Sequence, residues 1–277
     1  NMLRLPDLKT PKGACDTHMH FYDATRYETA TSAAFTPPDA SADDYKALQQ
    51  RLGLERVVIV QPSTYGRDNT CQLEMAKDFG NNCRLVVVVD EATTDLDLEK
   101  LTAAGARGAR FFMLAGAAVP WETLEPVAHK VSEHGWHIQL QMNGRDFADR
   151  HEQLSRLPAT LVVDHVGRFM DPVPLDHPSF KALLHLIDAG NCWVKLSAPY
   201  ESGLNGAPRW DDLDASARAL VAAAPERMLW ASNWPHPNHH GKYDEADLLD
   251  LLLYWADDDA TRNRILVDNP AELYGFG

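Results

Sequence analysis

Short apolar runs alternate along the chain with longer segments in which apolar residues recur at helical spacing. Two of the runs, Val57-Val58-Ile59-Val60 and Val86-Val87-Val88-Val89, consist only of β-branched residues, which is typical of parallel strands buried on both faces. We predict eight strands, at residues 14–17, 56–60, 85–90, 108–113, 137–142, 161–165, 193–197 and 228–232.

Helix signals separate the predicted strands. Ser41 and Asp44 have the spacing of a capping box, and Gly53 supplies a C-terminal stop, so we predict a helix between Ser41 and Gly53. The same signals predict helices at residues 94–105, 179–190, 210–224 and 245–255.

The order of these elements indicates the fold class. Eight strand–helix units in 277 residues predict a distorted (β/α)8 barrel, a single domain over residues 1–277. No Gly/Ser-rich or Pro-rich stretch resembles a linker. An open, doubly wound sheet is the alternative, and it is weakened because neither GxGxxG nor GxxxxGK follows a predicted strand.

The chain is acidic, with 26 Lys and Arg against 40 Asp and Glu and a formal net charge of −14. Nonspecific nucleic-acid binding requires a basic surface, and an anionic membrane would repel this chain, so neither is an expected partner. An anionic small molecule would need a local arginine cluster. Four scattered cysteines without a CxxC motif, and no predicted signal or spanning segment, favour a cytoplasmic protein without disulfides. Assembly into a homo-oligomer stays open.

The most specific motif is Asp16-Thr17-His18-Met19-His20, at the end of the first predicted strand. Side chains two residues apart on a strand point to the same face, so both imidazoles would meet at one place. Clustered imidazoles suit a metal site or a proton-transfer site. Two strand histidines that only form local hydrogen bonds are the alternative.

Polar residues follow nearly every predicted strand, where a barrel of this class has its active site. Residues that only stabilise the core would fall equally at both ends of the strands. Arg110 and Arg168 are the best anchors for a carboxylate, with structural ion pairs as the alternative. Without a GxSxG motif, Ser63 is predicted to donate to a substrate rather than to act as a nucleophile. His137 begins its strand and is predicted to lie at the opposite end.

Together these residues resemble the amidohydrolase superfamily, and more closely its branch of 2-pyrone-4,6-dicarboxylate lactonases and galactarolactone isomerases. The motifs that carry the resemblance are Asp16–His20, Val60-Gln61-Pro62-Ser63, Gly108-Ala109-Arg110-Phe111, Asp164-His165-Val166-Gly167-Arg168 and Asn233-Trp234-Pro235-His236-Pro237-Asn238. The resemblance implies a (β/α)8 barrel that opens or rearranges lactones of small carboxylated compounds. It also implies that Arg110 and Arg168 lie near substrate carboxylates and that Asn238 makes a polar contact.

Four positions depart from the superfamily pattern, and one of them, the metal-bridging lysine or glutamate of strand four, has no obvious counterpart in this sequence. Asn233 stands where an aspartate usually ends strand eight, and Gln141 stands where a histidine usually ends strand five. Glu201 stands where the lactonases have a further arginine, which favours the isomerase side of the branch. The coincident changes at Gln141 and Glu201 favour a natural Asn233 over a substitution introduced to trap a substrate.

These departures shape the expected chemistry. Asn233 cannot accept a proton from water or balance the charge of a dication, so hydrolysis should be slow and a metal weakly held or absent. His18, His20 and His165 are expected to polarise a lactone carbonyl, with His165 or His236 moving a proton. The predicted catalytic residues are His18, His20, His165, Asn233 and His236. The predicted substrate-binding residues are Ser63, Arg67, Arg110, Gln141, Arg168, Tyr200 and Asn238.

The expected function is therefore acyl transfer on a carboxylated lactone, with isomerisation ahead of hydrolysis. No cofactor is required in this interpretation, and a weakly bound divalent metal such as zinc would use His18 and His20. The alternatives are a lactone hydrolase, a metal-assisted hydrolase or decarboxylase of the same superfamily, and a barrel that binds a ligand without turnover.

Overall fold

Eight parallel strands form one sheet in chain order, β1 to β8, in a computed structural model that describes residues 3–277. The strands are β1 Cys15–Met19, β2 Arg56–Val60, β3 Cys83–Val87, β4 Ala106–Phe112, β5 His137–Gln141, β6 Leu161–Val163, β7 Cys192–Leu196 and β8 Met228–Trp230. All eight predicted strands are confirmed, with ends that differ by at most three residues.

The sheet closes through the segment that follows β8. The backbone N–H of Asn233 donates to the carbonyl of His18 at 2.9 Å, and the N–H of His20 donates to the carbonyl of Trp234 at 2.9 Å. Consecutive strand order and this closure give a nearly closed barrel, so the alternative of an open doubly wound sheet is wrong.

Helices separate the strands and surround the barrel. They are α1 Ala42–Leu52, α2 Thr70–Ala76, α3 Asp95–Ala103, α4 Leu124–Ser132, α5 Phe147–Ser155, α6 Pro178–Asp188, α7 Asp214–Ala223, α8 Glu245–Asp250, α9 Leu252–Trp255, α10 Asp259–Asn263 and α11 Asn269–Tyr274. The predicted caps of α1 are confirmed: the Ser41 side chain accepts from the N–H of Asp44, and Gly53 ends the helix at a φ of 74°. The segment predicted as one helix at 245–255 is divided between α8 and α9.

In β2, β3, β6, β7 and β8, alternate residues belong to two different hydrophobic clusters, as the period of a strand predicts. In β2, Val57 and Ile59 pack in the outer cluster with the helices, whereas Val58 and Val60 pack in the inner cluster. Tyr274, at the end of α11, packs in the inner cluster and is fully buried. An apolar floor therefore closes the barrel below its polar residues.

Two further expectations can be compared with the structure. All four cysteines are buried and unpaired. Between residues 3 and 277, no helix has the length and apolar character needed to cross a membrane.

Candidate active site

A cavity of about 490 Å³, including its open mouth, lies at the carboxyl ends of the strands. Eight of the twelve residues that we predicted to be catalytic or substrate-binding line it: His20, Ser63, Arg110, Gln141, His165, Arg168, Asn233 and Asn238. Tyr22, Phe35 and Phe112 add apolar walls, and Glu201 adds a carboxylate. The cavity thus combines flat apolar surfaces with convergent polar groups, which is the usual form of a small-molecule site.

The turns that follow β6 and β8 hold non-glycine residues in the left-handed region. His165, Val166 and Arg168 have φ values of 58°, 56° and 50°, and Asn233 has a φ of 56°. Side chains other than glycine rarely adopt this conformation, and residues that do so cluster at functional sites. The turn after β6 is tight enough to place both His165 and Arg168 on the cavity wall.

His20 presents a hydrogen-bond acceptor to the cavity. Its Nδ1 lies 2.6 Å from the carbonyl oxygen of Val60, and because a carbonyl only accepts, Nδ1 carries the proton. Burial, and then the charge of Arg110, lower the pKa of His20 to about 3, so the ring is neutral. Its Nε2 therefore offers a lone pair. In this form His20 would accept from a ligand at Nε2 rather than donate to a carbonyl oxygen.

His18 lies just beneath the cavity and is fully buried. Its ring centroid is 4.9 Å from that of His20 and 5.0 Å from that of His165. Burial, and then Lys195, hold the pKa of His18 well below its usual value. Its Nε2 has no hydrogen-bond partner in the protein, whereas its Nδ1 faces Lys195 and Gln139.

Lys195 and Gln139 form a polar layer inside the barrel that our assignment of roles missed. The Lys195 ammonium donates to the carbonyl of Thr17 at 2.6 Å and to Oε1 of Gln139 at 2.8 Å. Nε2 of Gln139 donates to Asp164 at 3.3 Å. Burial lowers the pKa of Lys195 to about 8, so it stays mostly protonated at neutral pH. A lysine in the middle of an apolar strand was the signal that could have identified it.

Arg110 is the best placed group for binding an anion. Its guanidinium is buried and donates only to neutral oxygens, the carbonyl of Gln61 at 2.7 Å and Oε1 of Gln141 at 2.8 Å. Its Nε has no partner. A buried guanidinium with no paired carboxylate is costly, and a bound carboxylate would relieve that cost.

Arg168 differs, because Glu201 partly neutralises it. Nη2 of Arg168 lies 3.2 Å from Oε2 of Glu201, and both residues line the cavity. The Nε of Arg168 has no partner. The pair therefore offers a donor and an acceptor side by side.

Asn233 belongs to a hydrogen-bonded chain that runs away from the cavity. Its Nδ2 donates to the hydroxyl oxygen of Tyr200 at 3.0 Å, and that hydroxyl lies 2.7 Å from Nδ1 of His236. Nε2 of His236 lies 2.9 Å from Oε1 of Glu245. The carboxylate accepts from His236, so Nδ1 of a neutral His236 accepts from Tyr200. This chain turns Oδ1 of Asn233 away from Tyr200.

Comparison with known families adds an independent result. The family model described as amidohydrolase matches residues 15–276, which is nearly the whole chain. The chain belongs to the amidohydrolase family. This amidohydrolase is 38% identical over 274 residues to D-galactarolactone isomerase of Agrobacterium fabrum, covering 97% of this chain and 93% of that protein.

Two further relatives support the same branch. The amidohydrolase is 32% identical over 281 residues to 2-pyrone-4,6-dicarboxylate hydrolase of Comamonas testosteroni, covering 97% of this chain and 92% of that protein. A crystal structure of an Agrobacterium tumefaciens protein without ligand superposes with a TM-score of 0.93 at 38% identity, covering 98% of this chain and 99% of that one. The predicted resemblance is confirmed.

Four of the predicted site residues of this amidohydrolase do not line the cavity. His18 lies directly below it, and Tyr200 and His236 lie behind Asn233. Tyr200 and Asn233 thus separate His236 from the cavity, and its role as a proton carrier stays a prediction. Arg67 points outward, because Asp90 binds its guanidinium at 2.8 Å and the carbonyl of Ala118 accepts from its Nε at 2.9 Å.

The group of residues best placed for a metal differs from the predicted pair. His18, Asp164 and His165 each offer a ligand atom within 4.8 Å of the others, and His20 is not in this group although its Nε2 offers a lone pair. Oδ1 of Asp164 has no hydrogen-bond partner, so a carboxylate is present that we had not considered. The Lys195 ammonium, however, lies 3.4 Å from Nδ1 of His18 and opposes a cation there. The group does not fit a tightly held metal while Lys195 is charged.

Proposed function

We propose that this amidohydrolase isomerises the lactone of a small hydroxylated acid that carries one carboxylate, without a metal. The observation that carries the proposal is Asn233, whose neutral amide stands at the end of β8 and lines the cavity. An amide cannot take a proton from water in the way a carboxylate can. The 38% identity to a D-galactarolactone isomerase supports the same reaction.

The charge of the cavity wall supports a substrate with a single carboxylate. Arg110 and Arg168 contribute two positive charges, and Glu201 contributes one negative charge. The lowered pKa values of His18, His20 and His165, which arise first from burial, keep these rings neutral. We assign the substrate carboxylate to Arg110, because Arg168 already has an anionic partner.

The pair of Arg168 and Glu201 suits hydroxyl groups. A hydroxyl can donate to the carboxylate and accept from the guanidinium at once. A second substrate carboxylate would instead be repelled by Glu201. This preference separates sugar-acid lactones from 2-pyrone-4,6-dicarboxylate, which carries two carboxylates and no hydroxyl.

In the proposed reaction a substrate hydroxyl attacks the lactone carbonyl carbon. A new bond forms from the hydroxyl oxygen to that carbon, and the bond from the carbon to the original ring oxygen breaks. The hydroxyl proton moves to the released ring oxygen, so no water is consumed. A hydroxyl held close to the carbonyl has a large advantage over water in solution.

Each imidazole then has a separate task. Nε2 of His18 donates to the carbonyl oxygen as negative charge develops there. Nε2 of His20 accepts from the attacking hydroxyl, and Oδ1 of Asn233 helps to orient it. The low pKa of His20 means that it holds the transferred proton only briefly. His165 remains the second candidate for the proton carrier, because it lines the cavity.

Lactone hydrolysis is the second candidate function, and Glu201 is the residue that would act as its general base. Its carboxylate lines the cavity and could accept a proton from water if it separated from Arg168. Hydrolysis would add one water oxygen to the product, whereas isomerisation would add none.

Proton NMR, which identifies the product, and mass spectrometry, which reads its ¹⁸O content, test the proposal in ¹⁸O-labelled water with excess EDTA. Galactaro-1,5-lactone and 2-pyrone-4,6-dicarboxylate are supplied separately to the purified protein. We expect a second lactone without ¹⁸O from the first substrate, unaffected by EDTA, and little turnover of the second. An open-chain product carrying ¹⁸O would establish hydrolysis instead, and loss of turnover in EDTA would refute the metal-free reaction.

A further inference from the structure

The two groups within hydrogen-bond distance of Nδ1 of His18 are both donors, while the carboxylate oxygen Oδ1 of Asp164 lies slightly farther away, at 3.6 Å. The Lys195 ammonium lies 3.4 Å away, and Nε2 of Gln139 lies 3.3 Å away. The Gln139 amide cannot exchange the positions of its oxygen and nitrogen without losing two hydrogen bonds, because its Oε1 accepts from Lys195 at 2.8 Å and its Nε2 donates to Asp164. An ammonium has three N–H donors and no acceptor. Two of its donors are used by Thr17 and Gln139, and the third faces His18.

We propose that Lys195 is a positioning residue whose internal ammonium makes His18 carry its proton on Nε2 and keeps a metal ion off His18. A neutral imidazole has one N–H, so Nδ1 accepting from Lys195 leaves the proton on Nε2. That atom is buried beneath the cavity and has no partner in the protein. Lys195 itself does not line the cavity and acts through His18.

Either mode of metal binding by His18 conflicts with this arrangement. A metal on Nδ1 would have to lie between that atom and the Lys195 ammonium, which is 3.4 Å away. A metal on Nε2 would require the proton on Nδ1, where it would meet two donors. Oδ1 of Asp164 lies 3.6 Å from Nδ1 of His18 and could accept a proton carried by Nδ1. It could do so only if Lys195 no longer donated to Nδ1. The ammonium therefore supplies the positive charge behind His18 that a metal would otherwise supply.

The protonated nitrogen of His18 can be read directly by NMR. Long-range ¹H–¹⁵N correlations of the ¹⁵N-histidine-labelled protein, free of substrate, distinguish the Nε2–H form from the Nδ1–H form. We expect Nε2–H for His18 in the unaltered protein. An Nδ1–H signal would overturn the proposal without any variant, so the test does not depend on the folding of a mutant.

Lys195→Met removes the ammonium and keeps a side chain of similar length. We expect His18 to change toward Nδ1–H, facing Asp164, and zinc bound after dialysis to rise at least tenfold toward one ion per chain. Lys130→Met is the matched control, because Lys130 also donates to a backbone carbonyl, that of Thr93, but lies outside the barrel. Lys130→Met should change neither the protonated nitrogen of His18 nor the zinc content after dialysis. Unaltered His18 signals or unaltered zinc content in Lys195→Met would each overturn the proposal.

The catalytic consequence rests on the proposed function and is measured separately. Because Lys195 does not contact the substrate, Lys195→Met should lower kcat for galactaro-1,5-lactone by roughly 100-fold and change KM little. If the unaltered protein does not convert the lactone but passes the NMR and zinc tests, the proposed substrate is wrong and the role of Lys195 stands. If KM rises and kcat does not fall, Lys195 does not act through His18.

Discussion

The Nδ2 of Asn233 donates to the hydroxyl oxygen of Tyr200 at 3.0 Å, and this contact fixes which end of the amide faces the cavity. Tyr200 is held in turn by His236, whose partner Glu245 lies on α8. Burial is the largest single effect and acts to raise the pKa of Glu245, but His236, a backbone hydrogen bond and Arg51 together outweigh it, so the pKa is lowered and the carboxylate stays charged. A residue 12 positions distant in sequence thus orients the side chain at the end of β8.

Asn233→Asp should introduce the general base that the cavity lacks at this position. We expect ¹⁸O incorporation from water to rise by about 100-fold or more, since general-base catalysis typically contributes 10²–10⁴-fold. Isomerisation should fall, because the carboxylate no longer donates to Tyr200. The product's ¹⁸O content, read by mass spectrometry, checks this. Asn238→Asp adds the same charge at the cavity mouth and should leave ¹⁸O incorporation unchanged; an equal rise there would refute the special role of Asn233.

Arg110→Met should raise KM for a carboxylated lactone roughly 10- to 100-fold. Losing hydrogen bonds to a charged group costs about 1.5–3 kcal/mol, which corresponds to that change. Steady-state kinetics with galactaro-1,5-lactone measures it. Arg67→Met is the matched control, because Arg67 binds Asp90 outside the cavity. An equal rise in KM for both variants would contradict the assignment of the carboxylate to Arg110.

Glu201→Gln should change substrate preference. Without the carboxylate, Arg168 becomes free to bind a second anion, so kcat/KM for 2-pyrone-4,6-dicarboxylate should rise about tenfold. The value for galactaro-1,5-lactone should fall, because a hydroxyl loses a charged acceptor. Glu226→Gln removes a carboxylate that pairs with Arg227 at 3.0 Å, away from the cavity, and should change neither value. Parallel changes for both substrates would show that Glu201 does not discriminate between them.

As the pH is lowered, the free energy of unfolding should begin to decrease near the ordinary pKa of histidine, about 6.5. Burial lowers the pKa of His137 to about 3, and also lowers those of His18, His20 and His165. The unfolded chain then takes up protons first, so stability that is complete above pH ~6.5 is lost as the pH falls, by about 1.4 kcal/mol per pH unit for each histidine that is still neutral in the folded protein.

His137→Gln isolates one of these groups away from the cavity. We expect the slope of the unfolding free energy between pH 6 and 4 to decrease by about 1.4 kcal/mol per pH unit, measured by urea titrations. The exposed His129 provides the control, and His129→Gln should keep the slope of the unaltered protein. An unchanged slope in His137→Gln would mean that His137 is not buried in its neutral form.

The shifts in strand ends have local physical causes. The prediction extended β6 to His165, but the strand ends at Val163 because His165 enters a left-handed turn. No local pattern signals that turn, since it holds three non-glycine residues at a positive φ, and one of them is the β-branched Val166. Tertiary contacts stabilise this turn, and one of them is the hydrogen bond between Nδ1 of His165 and Oγ of Ser197, 2.8 Å apart.

Sequence alone determined the eight strands, their parallel order and the gathering of polar residues at one end of the barrel. Those properties follow from local periodicity and from the rule that strand ends meet at one face. Only the tertiary structure decided that Arg67 points away from the cavity, that Glu201 pairs with Arg168 and that the Lys195 ammonium lies beside His18. Each of these depends on contacts between residues distant in sequence, whose direction and distance no local pattern contains.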